Sequence, residues 1–131
     1  MIDFASIKKI AIIGLSPNPS KPSHQVGLYL QKQAYEIFPI YPKAQKILGK
    51  IATQDIKELQ GVDLDWIVIF RKSEACLELT QSIISLNFPS LKGIWLQLGI
   101  HNDAAKTLAL ENGLQFVQNR CIKIERERYE S

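Results

Sequence analysis

A chain of 131 residues that is 46% hydrophobic can bury one substantial core and is too short for two ordinary domains, so a single domain over residues 1–131 is expected. Its formal charge of +3 supplies no bulk attraction to nucleic acid. Two cysteines, Cys76 and Cys121, cannot build a disulfide framework and are wrongly spaced for zinc, and no run approaches the roughly 18 apolar residues of a membrane span. At the start of the chain, Met1-Ile2-Asp3-Phe4 lacks a leader's basic head and long apolar core, which makes a soluble cytoplasmic protein the expectation.

Ile7 to Ile13 reads as a first strand, and its continuous apolar run suits a buried parallel one. Pro22 and Ser23 mark the start of a helix whose stripe runs through Val26, Tyr29 or Leu30, and Gln33-Ala34. Glu36 to Tyr41 is a second strand. Pro39 within it cannot donate a ladder hydrogen bond, so this strand belongs at a sheet edge or carries a bulge. Leu48 to Ala52, around Gly49, is read as one very short strand. Trp66 to Phe70 is the clearest buried strand; Ser73 then caps a helix with Cys76, Leu79 or Thr80, Ile83 and Leu86 on one face, ended by Asn87 and Pro89. Gly93 to Leu98 is the fourth main strand. Asn102-Asp103 opens a helix with Ala105, Leu108 and Ala109 inward, stopping at Gly113. Leu114 to Val117 is the last strand, and Cys121 to Tyr129 is helical. Strands joined by helices in this rhythm imply an α/β fold: a single Rossmann-like, doubly wound, mostly parallel sheet with helices on both faces.

In such a sheet ligands bind at the carboxyl ends of the strands. The first strand ends in Gly14-Leu15-Ser16, where glycine permits a sharp turn and close backbone approach; prolines stiffen the loop that follows, up to the helix near Ser23. With Ser16 in place of a second glycine, this is a nucleotide-directed loop outside the usual NAD pattern. The other ends are Tyr41-Pro42-Lys43, Phe70-Arg71-Lys72, Gln97-Leu98-Gly99 and Asn119-Arg120-Cys121, and none carries a carboxylate. Lys21, Lys43, Arg71 and Arg120 suit a ligand with several phosphates. A cation after the second strand, where an NAD site places an acid, favours a ribose bearing a phosphate, as in CoA or NADP.

These segments resemble a known family. Gly14 to Ser23, Pro39-Ile40-Tyr41-Pro42-Lys43, Phe70-Arg71, Trp95-Leu96-Gln97-Leu98-Gly99 and Asn119-Arg120-Cys121-Ile122-Lys123-Ile124-Glu125 look like successive motifs of the small, free-standing CoA-binding proteins, similar to the CoA-binding Rossmann domain of the succinyl-CoA synthetase alpha subunit. The resemblance implies that Gly14 and Ser16, with Leu15, Lys21 and Ser23 on the same loop, meet phosphate groups. It places Tyr41, Pro42 and Lys43 beside the adenosine end of CoA, and Phe70 and Arg71 in the same cleft. Gln97, Gly99, Asn119 and Arg120 would lie toward the rest of the cofactor. The chain departs from the family at Tyr41, commonly Asn, and at Asn119, commonly Asp.

Other residues have plainer readings. Lys72 points to solvent, Trp66 and Trp95 are core, and Gln97 is either a site amide or a structural partner for a backbone group. His24, in a first helical turn, reads as neutral and hydrogen-bonding; His101 follows a strand end but has no partner placed for catalysis. Cys121 closes a helix start, with thiol chemistry toward CoA as the alternative, and Cys76 is structural. Glu125-Arg126-Glu127-Arg128 is a solvated helix face. The resulting expectation is a binding module for CoA or an acyl-CoA, not an enzyme by itself, because the further domains of acyl-CoA synthetases have no room here. An NADP-binding reductase fragment or dinucleotide sensor is the alternative, and an interaction subunit with a vestigial cleft the second. No nucleic-acid, membrane or metal partner is expected; a protein partner or homo-oligomer is left open.

Overall fold

The computed structural model describes residues 2–130; Met1 and Ser131, the ends of the expected 1–131 domain, lie outside the described residues. In chain order the elements are β1 (Lys9–Ile13), α1 (Pro22–Lys32), β2 (Glu36–Ile40), β3 (Lys46–Ile47), β4 (Lys50–Ile51), β5 (Trp66–Ile69), α2 (Cys76–Leu86), β6 (Gly93–Leu96), α3 (Asp103–Glu111), β7 (Gln115–Val117) and α4 (Ile122–Glu130). Five strands form one parallel sheet in the order β2-β1-β5-β6-β7. Pro39 sits in the edge strand β2, opposite Ile12, where its missing N–H costs least.

From Ile10 onward β1, and all of β5 and β6, are apolar because both faces are covered. Ile10, Ile12, Trp66, Val68 and Trp95 pack toward Val26 and Leu30 of α1 and Ile122 of α4. Ala11, Ile13, Ile67, Ile69, Ile94 and Leu96 face the other way, onto Cys76 and Ile83 of α2 and Ala105 of α3. Trp66 and Trp95 meet edge to face, their ring centroids 5.8 Å apart. Gly93 makes room for this: a Cβ there would lie 2.5 Å from the Trp66 ring and 2.7 Å from the Gln115 carbonyl.

At the amino ends of the strands, Asp65 ties three segments together. Its Oδ2 accepts from the N–H groups of Lys8 and Lys9 at 2.8 and 2.9 Å, and its Oδ1 accepts from the Lys92 ammonium at 2.9 Å. Burial opposes the charge, but the N–H of Lys9, the Lys92 ammonium and the N–H of Lys8 outweigh it and hold the carboxyl below its ordinary value.

Several local expectations are corrected. The single strand expected at Leu48 to Ala52 is the second half of a hairpin, β3 and β4, turning through Leu48 and Gly49 at φ 52° and 85°. Ser73 does not cap α2. Residues Ser73–Ala75 form a 3-10 turn ahead of that helix, and the Ser73 hydroxyl instead accepts from the His101 N–H at 3.1 Å. A second 3-10 turn, Ile56–Leu59, is opened by a reciprocal capping box between Asp55 and Glu58. Asn102 caps α3 as expected, accepting from Ala105 N–H at 3.0 Å, and Asn87 ends α2 in the left-handed conformation. Among the described residues no helix is long and apolar enough to cross a membrane.

Candidate functional site

The strand order, taken over the five parallel strands, is second-first-third-fourth-fifth, which reverses between β1 and β5; ligands in such sheets sit outside the carboxyl ends at that reversal. Gly14 stands there, at φ 86°, and a Cβ on it would lie 2.4 Å from the Phe70 carbonyl oxygen. Only a bare backbone fits between the ends of β1 and β5. Its N–H donates to the Ile40 carbonyl at 2.9 Å, so Gly14 joins all three strand ends.

The loop beyond Gly14 is held by the first turn of α1. The Ser16 N–H donates to Ser23 Oγ at 3.0 Å, and the Ser16 carbonyl accepts from His24 Nδ1 at 2.8 Å, which assigns that hydrogen to Nδ1. Ser16 Oγ accepts from Asn18 N–H at 3.1 Å, and Asn18 Oδ1 accepts from both the N–H and the hydroxyl of Ser20. Lys21 is exposed at the N-cap and Pro22 occupies the first turn, where its missing N–H is harmless. A rigid turn thus leads into a helix start whose dipole favours anions. Leu15 is different: its side chain is fully buried in the core, leaving only its backbone on the loop.

A cleft of about 540 Å³ opens at the reversal point, lined by Gly14, Tyr41, Pro42 and Arg71 among the expected residues. Lys43 follows on the exposed segment after Pro42. The cleft also takes Gln54, Asp55, Ile56, Glu78, Leu79 and Ser82, which the strand-end reading missed because they come from the 52–56 segment and from α2. Thr53 reaches there by bridging Ile40 in parallel, and Gln54 donates to the Pro42 carbonyl at 3.1 Å. The cleft therefore does contain carboxylates, Asp55 and Glu78, although no strand end carries one. The Asp-x-x-Glu spacing of Asp55 and Glu58 was the available signal for this turn. Near Arg71, burial pushes the Cys76 thiol above its usual range despite that cation, and Cys76 is fully buried, which fits an inert structural cysteine.

Further along the same carboxyl edge, beyond β6 and β7, Gln97 is buried and its Oε1 accepts from the Ile122 N–H at 2.8 Å, so it serves as a structural partner for the start of α4. Gly99 donates its N–H to Asn119 Oδ1 at 2.7 Å, locking two loops together; Asn119 itself has φ 56°. Arg120 is exposed, with Glu125 at 3.8 Å, and its carbonyl accepts from Trp95 Nε1 at 2.8 Å. Gln97, Gly99, Asn119 and Arg120 thus form a neighbourhood separate from the cleft lining. Among the described residues no group of three or more His, Cys, Asp or Glu side chains gathers as a metal site.

Comparison with known proteins agrees with this architecture. The sequence profile described as CoA binding domain matches residues 8–127. The chain is 32% identical over 117 residues to the uncharacterized protein YneT of Bacillus subtilis, covering 89% of this chain and 84% of YneT. It superposes on a hypothetical protein from Pyrococcus horikoshii with a TM-score of 0.87 at 29% identity, covering 97% of this chain and 87% of that one. It matches the Thermus thermophilus protein cell-free ID.343 with a TM-score of 0.87 at 28% identity, covering 95% and 91%. With a parallel sheet that reverses beside Gly14 and a family profile spanning nearly its whole length, the chain belongs to the CoA-binding domain family.

Proposed function

We propose that this chain, as one domain over residues 1–131, is a cytoplasmic binding module that holds CoA at the carboxyl ends of its parallel strands and performs no chemistry alone. The observation that carries this reading is the convergence of Gly14, Tyr41, Pro42 and Arg71 on one cleft at the strand reversal of a chain from this family. Gly14 lets the chain turn tightly at the cleft and run into the start of α1, whose dipole favours a pyrophosphate. Ser16, Ser23 and His24 keep that turn rigid, Lys21 and Arg71 offer charge to the phosphates, and Lys43 engages the 3′-phosphate at the adenosine end. Gly99, Asn119 and Arg120 lie along the path of the pantetheine arm, with Gln97 supporting them from below. Asp55 and Glu78 disfavour a phosphate deep in the cleft and instead suit the hydroxyl and amino groups of an adenosine.

Lys43→Glu tests the assignment of the phosphate. By isothermal titration it is expected to weaken CoA binding about tenfold, the ~1.4 kcal/mol of one exposed charge-assisted contact, and dephospho-CoA binding less than about twofold. Equal losses for the two ligands would show that Lys43 does not read the 3′-phosphate.

A further inference from the structure

The outer edge of β7 borders a groove of about 910 Å³, larger than the cleft. Its apolar walls come from Phe4 and Trp95, from Leu110 on α3, from Phe116 and Val117 on β7, and from Tyr129 on α4. Leu110 and Tyr129 are 52% and 43% exposed, so this is apolar surface turned to solvent. Arg120 stands at the carboxyl end of the groove and also lines a crevice of about 320 Å³ with Leu98, Cys121 and Ile124. Leu98 and Ile124 are 67% and 43% exposed. Apolar surface therefore runs from the strand ends, past Arg120, and down the edge of β7.

Spacing connects this surface to the cleft. From β1 to β7 the sheet takes three steps, through β5 and β6, which is about 14 Å at the usual strand separation. A pantetheine arm, from phosphorus to sulfur, has about the bond count of an extended tetrapeptide, roughly 14 Å. An arm anchored by its phosphate at Gly14 thus delivers its sulfur to the carboxyl end of β7, where the groove begins. The charges there favour a chain over a second protein copy: Glu125 is already paired with Arg120 at 3.8 Å and Arg128 at 3.3 Å, and a symmetry mate would bring a second set of Lys106, Arg120 and Arg128 against the first. The long stems of those cations can instead lie along an apolar ligand.

We propose that the β7 groove receives the acyl chain of a medium-chain acyl-CoA, so that the ligand class is an acyl thioester and not free CoA; this rests on the CoA reading above. The three residues of β7 span about 10 Å, the length of an extended eight-carbon chain.

Isothermal titration with CoA, acetyl-CoA and octanoyl-CoA tests it, on the native chain, on Leu110→Glu at an exposed position of α3, and on Tyr129→Ser, which removes a partly exposed ring packed edge to face on Phe4 at 5.4 Å. Full burial of a methylene is worth about fourfold in affinity and an open groove about half of that, so octanoyl-CoA is expected to bind at least about tenfold tighter than CoA. Both variants should reduce that advantage by about fivefold or more and leave CoA affinity unchanged. Equal affinities for CoA and octanoyl-CoA in the native chain, or an advantage that survives both variants, would overturn the acyl assignment alone. Failure to bind any of the three would overturn the CoA reading with it.

Discussion

Gly14→Ala is expected to lose about 3 kcal/mol or more of folding stability and to weaken CoA binding beyond about a hundredfold. Two causes add. The residue has φ 86°, a region that costs a side-chain-bearing residue about 1–2 kcal/mol, and the new Cβ would sit 2.4 Å from the Phe70 carbonyl oxygen. That oxygen cannot swing aside, because Phe70 is fastened to β1 through its N–H on the Ile13 carbonyl at 2.9 Å. Relief must come from moving the ends of β1 and β5 apart, which opens the turn proposed to hold the phosphates. Gly113→Ala separates the two causes, since Gly113 also has positive φ, 78°, with nothing within 4 Å of a built Cβ. Urea unfolding should give Gly113→Ala a cost of about 1 kcal/mol. Similar costs for the two variants would contradict the close approach at Gly14.

Asp65→Asn is expected to lower stability at pH 7 by about 2 kcal/mol, the scale of hydrogen bonds to a charged group. The amide keeps one acceptor for the N–H groups of Lys8 and Lys9 but turns its NH₂ toward the Lys92 ammonium. Most of the loss comes from those two N–H bonds exchanging a charged acceptor for a neutral one, because the Lys92 side chain is 37% exposed and its pairing is screened. Since the folded-state pKa of Asp65 is depressed, its contribution is fully present above the ordinary value of 3.8 and is lost as pH falls from there through the lower folded-state value. Below pH 4, then, the native chain should lose stability more steeply than Asp65→Asn, and the gap between them should close. Parallel stability curves from pH 6 to below pH 3 would remove Asp65 from this role.

What was legible in the chain was what depends on neighbours in sequence. The apolar runs of β1, β5 and β6 are uninterrupted because helices cover both faces, and Pro39 alone consigned β2 to an edge. Asn102 and Asn87 announced helix ends through local hydrogen bonding and left-handed backbone. Residues whose role depends on distant partners were not legible. Ser73 has the chemistry of a cap, yet its hydroxyl goes to His101 across the sheet end. Gln97 sits at a strand end like a ligand contact, and only the placement of α4 shows that it bonds Ile122. Asp55 and Glu78 enter the cleft because a bridge through Thr53 and the packing of α2 against the sheet bring them there, and the groove beside β7 exists only once α3, α4 and the 3-10 turn Phe4–Ser6 have packed around it.

The most direct test of the account is the melting temperature of the purified chain with CoA and with NADP, each at about 1 mM. A ligand near a hundred times its dissociation constant stabilises the folded state by about 2.7 kcal/mol, which for a domain of this size raises the melting temperature by roughly 5–15 °C. Such a rise is expected with CoA, and little change with NADP. No rise with CoA, or an equal rise with NADP, would contradict it.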